Sequence, residues 1–308
     1  MPARLLITTW REGGALSCLR KLSAATRAAL PLLLRRRRTA SGVAAYFDLI
    51  TSEARRFYGD SFHFGYFRSG DESLSEALDA HTDLVAELAL VASGQRILDV
   101  GCGIAAPALR IAARSGCEVT AINISREQVR QGRRLIERCG MAQRVRIAHG
   151  DARALGFSDE SFDAIICLEA AGDICVAEND KRRLVREFHR LLRPGGRIGF
   201  SDLALTEPPS AEEERALRAL LYHRGAELVT DWPSLFESQG FTITERRDIL
   251  PQTMATWQRV LAVYEERRSE AVRLYGCRIA SRLCHQLEQI PEILARRASF
   301  VILAAIKG

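Results

Sequence analysis

No apolar run in this 308-residue chain approaches the ~20 residues that a membrane-spanning helix requires. The longest near the start, 28–34, is interrupted by Pro31, so an integral membrane protein is excluded. The eight cysteines form no CxxC and no metal-type pairing with histidine. No metal site is therefore expected, and the thiols read as reduced cysteines of a cytoplasmic protein, not as a disulfide frame. Gly101-Cys102-Gly103 lacks the third glycine of GxGxxG, position 106 being Ala, and no GKS or GKT occurs. A dinucleotide site and a P-loop NTPase are both disfavoured. Internal repeats and low-complexity segments are absent apart from one arginine run, 35–38.

The remaining composition is globular, 47% hydrophobic and 27% charged. The formal charge of +6 is uneven: residues 1–40 carry a net of +8 and the other 268 sum to −2. The chain is a nearly neutral body with a basic leader. A neutral body does not suit nucleic acid, which wants a basic groove. The leader fits a solvated tail, an oligomer contact or peripheral adsorption to an anionic membrane. Its positive run follows the apolar patch, the reverse of a secretory signal.

Residues 41–93 read as an N-terminal helical cap rich in aromatics, with a capping box of Ser73 and Glu76 opening a helix. From 94 to 250, short apolar runs alternate with amphipathic helices. Strands are expected at 96–100, 118–123, 145–148, 162–168, 197–201 and 241–248. This repetition predicts an α/β fold, a doubly wound and mostly parallel sheet covered on both faces. Residues 251–297 read as a helical insertion, with helices at 254–268 and 270–287 and a short piece after Pro291. The chain closes on a last apolar strand within 298–308. Met254, Trp257, Val260, Leu261, Val263 and Tyr264 form one apolar stripe, either packing on the sheet or forming a lid over an acceptor.

Asp99-Val100-Gly101-Cys102-Gly103 follows a buried strand and precedes a helix. Glycines there let the backbone turn tightly and approach a ligand, and the helix start offers unpaired N–H groups. Asp99, Asn123, Asp151 and Glu169 each end an apolar run. In a parallel sheet such ends share one edge, where ligands bind.

The runs ILDVGCGIAAPAL, VTAINIS, HGDARALGFSDESFDAIICLEA and LLRPGGRIGFSD, in this order, resemble class I S-adenosylmethionine (SAM)-dependent methyltransferases over about 75–205. Within that superfamily the chain looks most like the branch of sterol, tocopherol and antibiotic-sugar methyltransferases. The resemblance implies a seven-stranded Rossmann-like core, SAM as cofactor and S-adenosylhomocysteine as product. It implies that Asp99 holds the amino or carboxylate end of SAM through the Gly101–Gly103 loop. Asn123 then takes the ribose position, where many relatives are acidic, and Ile124 packs on the adenine. Asp151 binds the adenine amino group and the Ala152 N–H the ring; Gln128 and Tyr66 complete the set. Ala105 stands where relatives usually place another glycine. For the chemistry, Glu169, Asp173 and His63 are the candidate acid–base groups. The acceptor implied is small and hydrophobic, isoprenoid, sterol-like or another secondary metabolite, methylated on oxygen or carbon. Three rivals stand beside this reading: a SAM-binding relative performing a non-methyl reaction such as cyclisation, an RNA or protein methyltransferase recruited by the leader, and a non-enzymatic module of the same fold.

Overall fold

The computed structural model describes residues 39–177, 179–220 and 230–308. The basic leader and every expectation attached to it lie outside the described residues, apart from 39 and 40. Among the described residues no helix is long and apolar enough to cross a membrane.

Two cap helices come first, α1 (Ala40–Tyr58) and α2 (Leu74–Leu88). Each starts on a side-chain cap. Thr39 accepts from Gly42 N–H, and Ser73 and Glu76 form the reciprocal box read from the sequence. The core then runs β1 (Arg96–Val100), α3 (Ala106–Ser115), β2 (Glu118–Asn123), α4 (Arg126–Arg138), β3 (Val145–His149), β4 (Phe162–Leu168), α5 (Ala171–Ile174), α6 (Asp180–Leu191) and β5 (Leu192–Leu205). It continues with α7 (Ala211–Leu220), α8 (Trp232–Glu237) and β6 (Phe241–Asp248). The insertion follows as α9 (Leu250–Thr253), α10 (Ala255–Glu266), α11 (Arg268–Tyr275) and α12 (Cys277–Arg297), and β7 (Ala298–Lys307) closes the chain.

The strands form one seven-stranded sheet in the order β3-β2-β1-β4-β5-β7-β6. The pairings from β3 through β5 are parallel, and β7 runs antiparallel to both neighbours. This is the doubly wound, seven-stranded α/β fold expected. One face of the sheet is buried by α2, α3, α4, α10 and α12, through Val85, Ile111, Ile136, Trp257 and Leu294 among others. The other is buried by α6 and α8, through Leu184, Phe188, Trp232 and Phe236. Burial of such side chains contributes roughly 1.5–3 kcal/mol each.

Two local expectations are corrected and one open alternative is narrowed. The fifth strand extends well beyond 197–201, because β7 pairs with it from Arg197 opposite Ile306 to Leu205 opposite Ala298. Pro291 does not end a helix: α12 continues through it. Leu287, Ile290 and Leu294 on either side are buried in the core, and that packing offsets the lost backbone bond. The break falls instead at Gly276, whose φ of +82° suits glycine. Of the stripe of the insertion, Trp257 and Val260 are core residues with Met254 and Leu261 against them, whereas Val263 and Tyr264 pack beside Phe57 of the cap.

Ala105 precedes α3 with φ +67°, a left-handed conformation. That costs a residue with a Cβ about 1–2 kcal/mol, more than the ~0.4–1 kcal/mol of chain entropy that glycine adds to the unfolded state. Ala105→Gly is therefore expected to stabilise the protein by up to about 1 kcal/mol in urea titrations; destabilisation would show that the methyl packing outweighs the strain.

Candidate active site

Beyond β3 the chain crosses back to place β4 beside β1, so the loops leaving these adjacent strands diverge and a crevice opens at their carboxyl ends. A cavity of about 930 Å³, counted out to its open mouth, fills that crevice. Its lining includes Asp99, Gly101, Gly103, Asn123, Ile124, Gln128, Asp151, Ala152, Glu169, Asp173 and His63. The structure thus brings together all the expected site residues but one. Tyr66 is the exception and a correction: it does not line the cavity. Its amide is bound to the Ala77 carbonyl at 2.8 Å, which fixes the loop against α2, away from the strand ends.

Gly101 follows β1 with φ +72°. Its N–H and that of Cys102 both donate to the Ile122 carbonyl, at 2.9 and 3.2 Å. A Cβ at Gly101 would lie 2.2 Å from the Ala170 methyl, so this turn excludes any side chain. Above it, Asp99 is 1% exposed and its Oδ2 has no hydrogen-bond partner. Burial pushes this carboxyl up to about 7. A buried, unsatisfied carboxyl facing a cavity is costly unless a ligand completes it. An ammonium group over a glycine turn does so, and the site therefore fits the charged end of SAM.

Asn123, at the tip of β2, is 6% exposed. Its Nδ2 donates to Gln128 Oε1 at 2.8 Å and its Oδ1 accepts from Ser125 N–H at 2.8 Å. Asn123 and Gln128 therefore act as a joined pair on the cavity wall. Asp151 accepts from Arg153 on both oxygens, and Arg153 also reaches Asp180 at 2.7 Å. The guanidinium holds the Asp151 carboxyl below its ordinary range. Ionised carboxylates offer about four acceptor positions, so Asp151 can still take an amino hydrogen. Asp48 on α1 was missed by the sequence reading. Its Oδ1 accepts from Ser125 Oγ at 2.6 Å and from Glu127 N–H at 2.9 Å, tying the cap to the start of α4.

On the opposite wall, Glu169 follows β4 in a left-handed conformation, φ +49°. Its N–H donates to the Ser201 carbonyl at 2.8 Å. Its Oε1 accepts from Phe64 N–H at 2.6 Å. Burial raises this carboxyl well above the usual range, and Asp202 and Asp173 add to the shift. His63 is also buried, which lowers its ring to about 4. Its Nδ1 meets the Phe64 carbonyl at 2.9 Å and its Nε2 the Thr82 hydroxyl at 3.3 Å. Both nitrogens are occupied within the fold, which argues against His63 as the acid–base group. His81 of α2 stands beside Glu169 at 3.6 Å.

A second cavity adjoins the first, sharing Asp60, Ser61 and Pro107 with it. Its lining mixes Phe57, Leu74, Leu78 and Val263 with Arg55, Arg56, Arg110, Arg267, Asp60 and Asp79. It reaches Thr82, the hydroxyl beside His63.

A family profile described as a methyltransferase domain matches residues 97–196. Methyltransferase GfsG of Streptomyces halstedii is 31% identical over 72% of this chain and 81% of its own length. The 27-O-demethylrifamycin SV methyltransferase of Amycolatopsis mediterranei is 28% identical over 75% of this chain and 84% of its own. Among solved structures, the cyclase SpnF superposes with a TM-score of 0.74 at 26% identity, over 87% of this chain and 96% of that one.

The raised Asp99 carboxyl sets a pH dependence. Its charged form, which pairs with the ammonium, becomes populated as pH rises through about 7. SAM affinity measured by calorimetry is expected to rise between pH 6 and 8, approaching about tenfold per unit on the acid side. Asp99→Asn should lower the affinity and flatten the profile; an unchanged profile would remove Asp99 from the cofactor site.

Proposed function

The chain belongs to the SAM-dependent methyltransferases, and from that premise we propose that it methylates a hydroxyl oxygen of a small hydrophobic natural product. The observation that carries the reading is one cavity with two differently prepared carboxyls on facing walls. Asp99 is unpartnered over a glycine turn, and Glu169 is anchored beside the cap. When bound, SAM supplies an electrophilic methyl on a sulfonium and leaves as S-adenosylhomocysteine. Asp99 holds the amino-acid end, Asn123 with Gln128 faces the ribose, and Ile124, Asp151 and Ala152 frame the adenine. Glu169 would then stand on the side left for the acceptor.

There the residues of the chain have two tasks. The second cavity, whose lining includes Phe57, Leu78 and Val263, admits the apolar part of the acceptor. Glu169 takes the hydroxyl proton as the oxygen gains the methyl. A carboxyl raised by burial is, once ionised, a stronger base for this than an exposed one. Asp173, on the same lining, adds negative charge that favours proton uptake by Glu169. Oxygen is the favoured acceptor atom because the rifamycin relative is named for an oxygen site and aligns over most of its length. The likeness to the cyclase SpnF supports a second reading, a non-methyl reaction in the same cavity. Product mass separates the two: methylation adds one methylene, and cyclisation adds nothing. Cytoplasmic residence and a place in secondary metabolism belong to this proposal.

Glu169→Gln is expected to keep SAM affinity within about twofold and to lose roughly 10²–10⁴ in turnover, assayed as S-adenosylhomocysteine release over a panel of hydroxylated polyketides and terpenoids. Wild-type turnover should rise with pH, since Glu169 accepts a proton only above its raised pKa. Unchanged turnover in the variant would move the base elsewhere. Leu78→Trp, which fills the second cavity, is expected to raise the acceptor KM about tenfold or more while SAM affinity holds; an unaffected KM would place the acceptor on another path.

A further inference from the structure

Three side chains converge on the backbone of one residue of the cap loop, Phe64, whose N–H and carbonyl belong to successive peptides. The Phe64 N–H donates to Glu169 Oε1 at 2.6 Å. The Phe64 carbonyl accepts from Nδ1 of His63 at 2.9 Å and from Nδ1 of His81 at 2.7 Å. A ring nitrogen facing a carbonyl must carry the hydrogen, so both rings are Nδ1–H tautomers. His81 is fully buried, and its Nε2 has no partner. His81 Nδ1 lies 3.6 Å from Glu169 Oε1, beyond hydrogen-bond reach. The ring therefore acts on the carboxyl through the Phe64 backbone between them.

His63, His81 and Glu169 place ligand-type atoms within 4.8 Å of one another, a spacing that invites comparison with a cation site. The hydrogen bonds argue otherwise. Both Nδ1 atoms point at a carbonyl with hydrogens between, an arrangement of donors around a peptide and not of lone pairs around an ion. The neighbouring peptides are held as firmly. Gly65 N–H donates to Thr256 Oγ1 at 3.0 Å and Phe67 N–H to the Gln252 carbonyl at 2.8 Å. The insertion thereby steadies the same loop.

We infer that His81 is a positioning residue: its Nδ1–H, together with that of His63, holds the Phe64 carbonyl and so fixes the Phe64 backbone, whose N–H, in the preceding peptide, then holds Glu169 Oε1 and leaves Oε2 for the acceptor. The inference rests on Glu169 being the acceptor-side carboxyl.

The test is nuclear magnetic resonance on the whole enzyme, labelled with ¹⁵N-histidine and ¹³Cδ-glutamate. The Glu169 signal is identified by its loss in Glu169→Gln. His81→Asn keeps an N–H where Nδ1–H stands, whereas His81→Gln places its amide at the Nε2 position; His81→Ala removes both. In the wild type His81 should report a neutral Nδ1–H ring. The Glu169 titration midpoint should stay within about 0.3 unit in His81→Asn and rise by about one unit in His81→Gln and His81→Ala, where the N–H that favours the carboxylate is loosened. The other groups that face Glu169 are Asp173, Asp202 and Tyr58, and they are the same in every variant. SAM affinity within about twofold in His81→Asn and His81→Gln serves as the folding control. The inference is overturned by an Nε2–H tautomer, by equal midpoints in all proteins, or by stoichiometric Zn²⁺ in the wild type that His81→Asn loses. None of these readings uses turnover, so a failure of Glu169 as base shows separately, in the turnover of Glu169→Gln.

Discussion

The switch in winding between β1 and β4 is the constraint on which the rest depends. Adjacent parallel strands whose connections leave to opposite sides cannot close over their own ends. The gap collects whatever polar groups the strands end on, here Asp99 and Glu169 on neighbouring strands. The hydrophobic faces of the sheet make this economical. Both sides are sealed by helices, so the ends are where buried polarity meets a ligand.

That arrangement has an energetic consequence. Asp99, Asp202 and Glu169 are buried carboxyls whose proton affinity is raised by desolvation. Each disfavours the folded state when charged, and the penalty grows as pH climbs from the ordinary carboxylate range through the raised values. On the proposed placement of SAM, its ammonium would relieve the penalty at Asp99 and so couple cofactor binding to fold stability. Glu169 keeps its raised value because the cap encloses it. Phe64 supplies one hydrogen bond, while the histidines beneath remain neutral, at about 4 and about 3.

Much of this was legible in the chain itself. Asp99, Asn123, Asp151 and Glu169 each end an apolar run, and strand period plus a glycine turn suffices to place them on one edge. Caps such as Ser73 with Glu76 are local chemistry, readable without tertiary context. Other features were hidden for physical reasons. His81 sits at helical spacing among leucines. What gives it a role is a peptide 17 residues upstream. Tyr66 belongs to an aromatic run in a loop with no period to tell which residues face inward. Phe62 and His63 line the cavity and Tyr66 does not. Pro291 reads as a break because the favourable term, burial of Ile290 and Leu294 against the sheet, is not local.

A crystal structure of the enzyme with S-adenosylhomocysteine tests the central claim most directly. The account predicts the amino group of the product within hydrogen-bond distance of Asp99 Oδ2, the adenine between Ile124 and Ala152, and the sulfur turned toward Glu169. A product bound with its amino end away from Asp99, or seated in the second cavity, would contradict it.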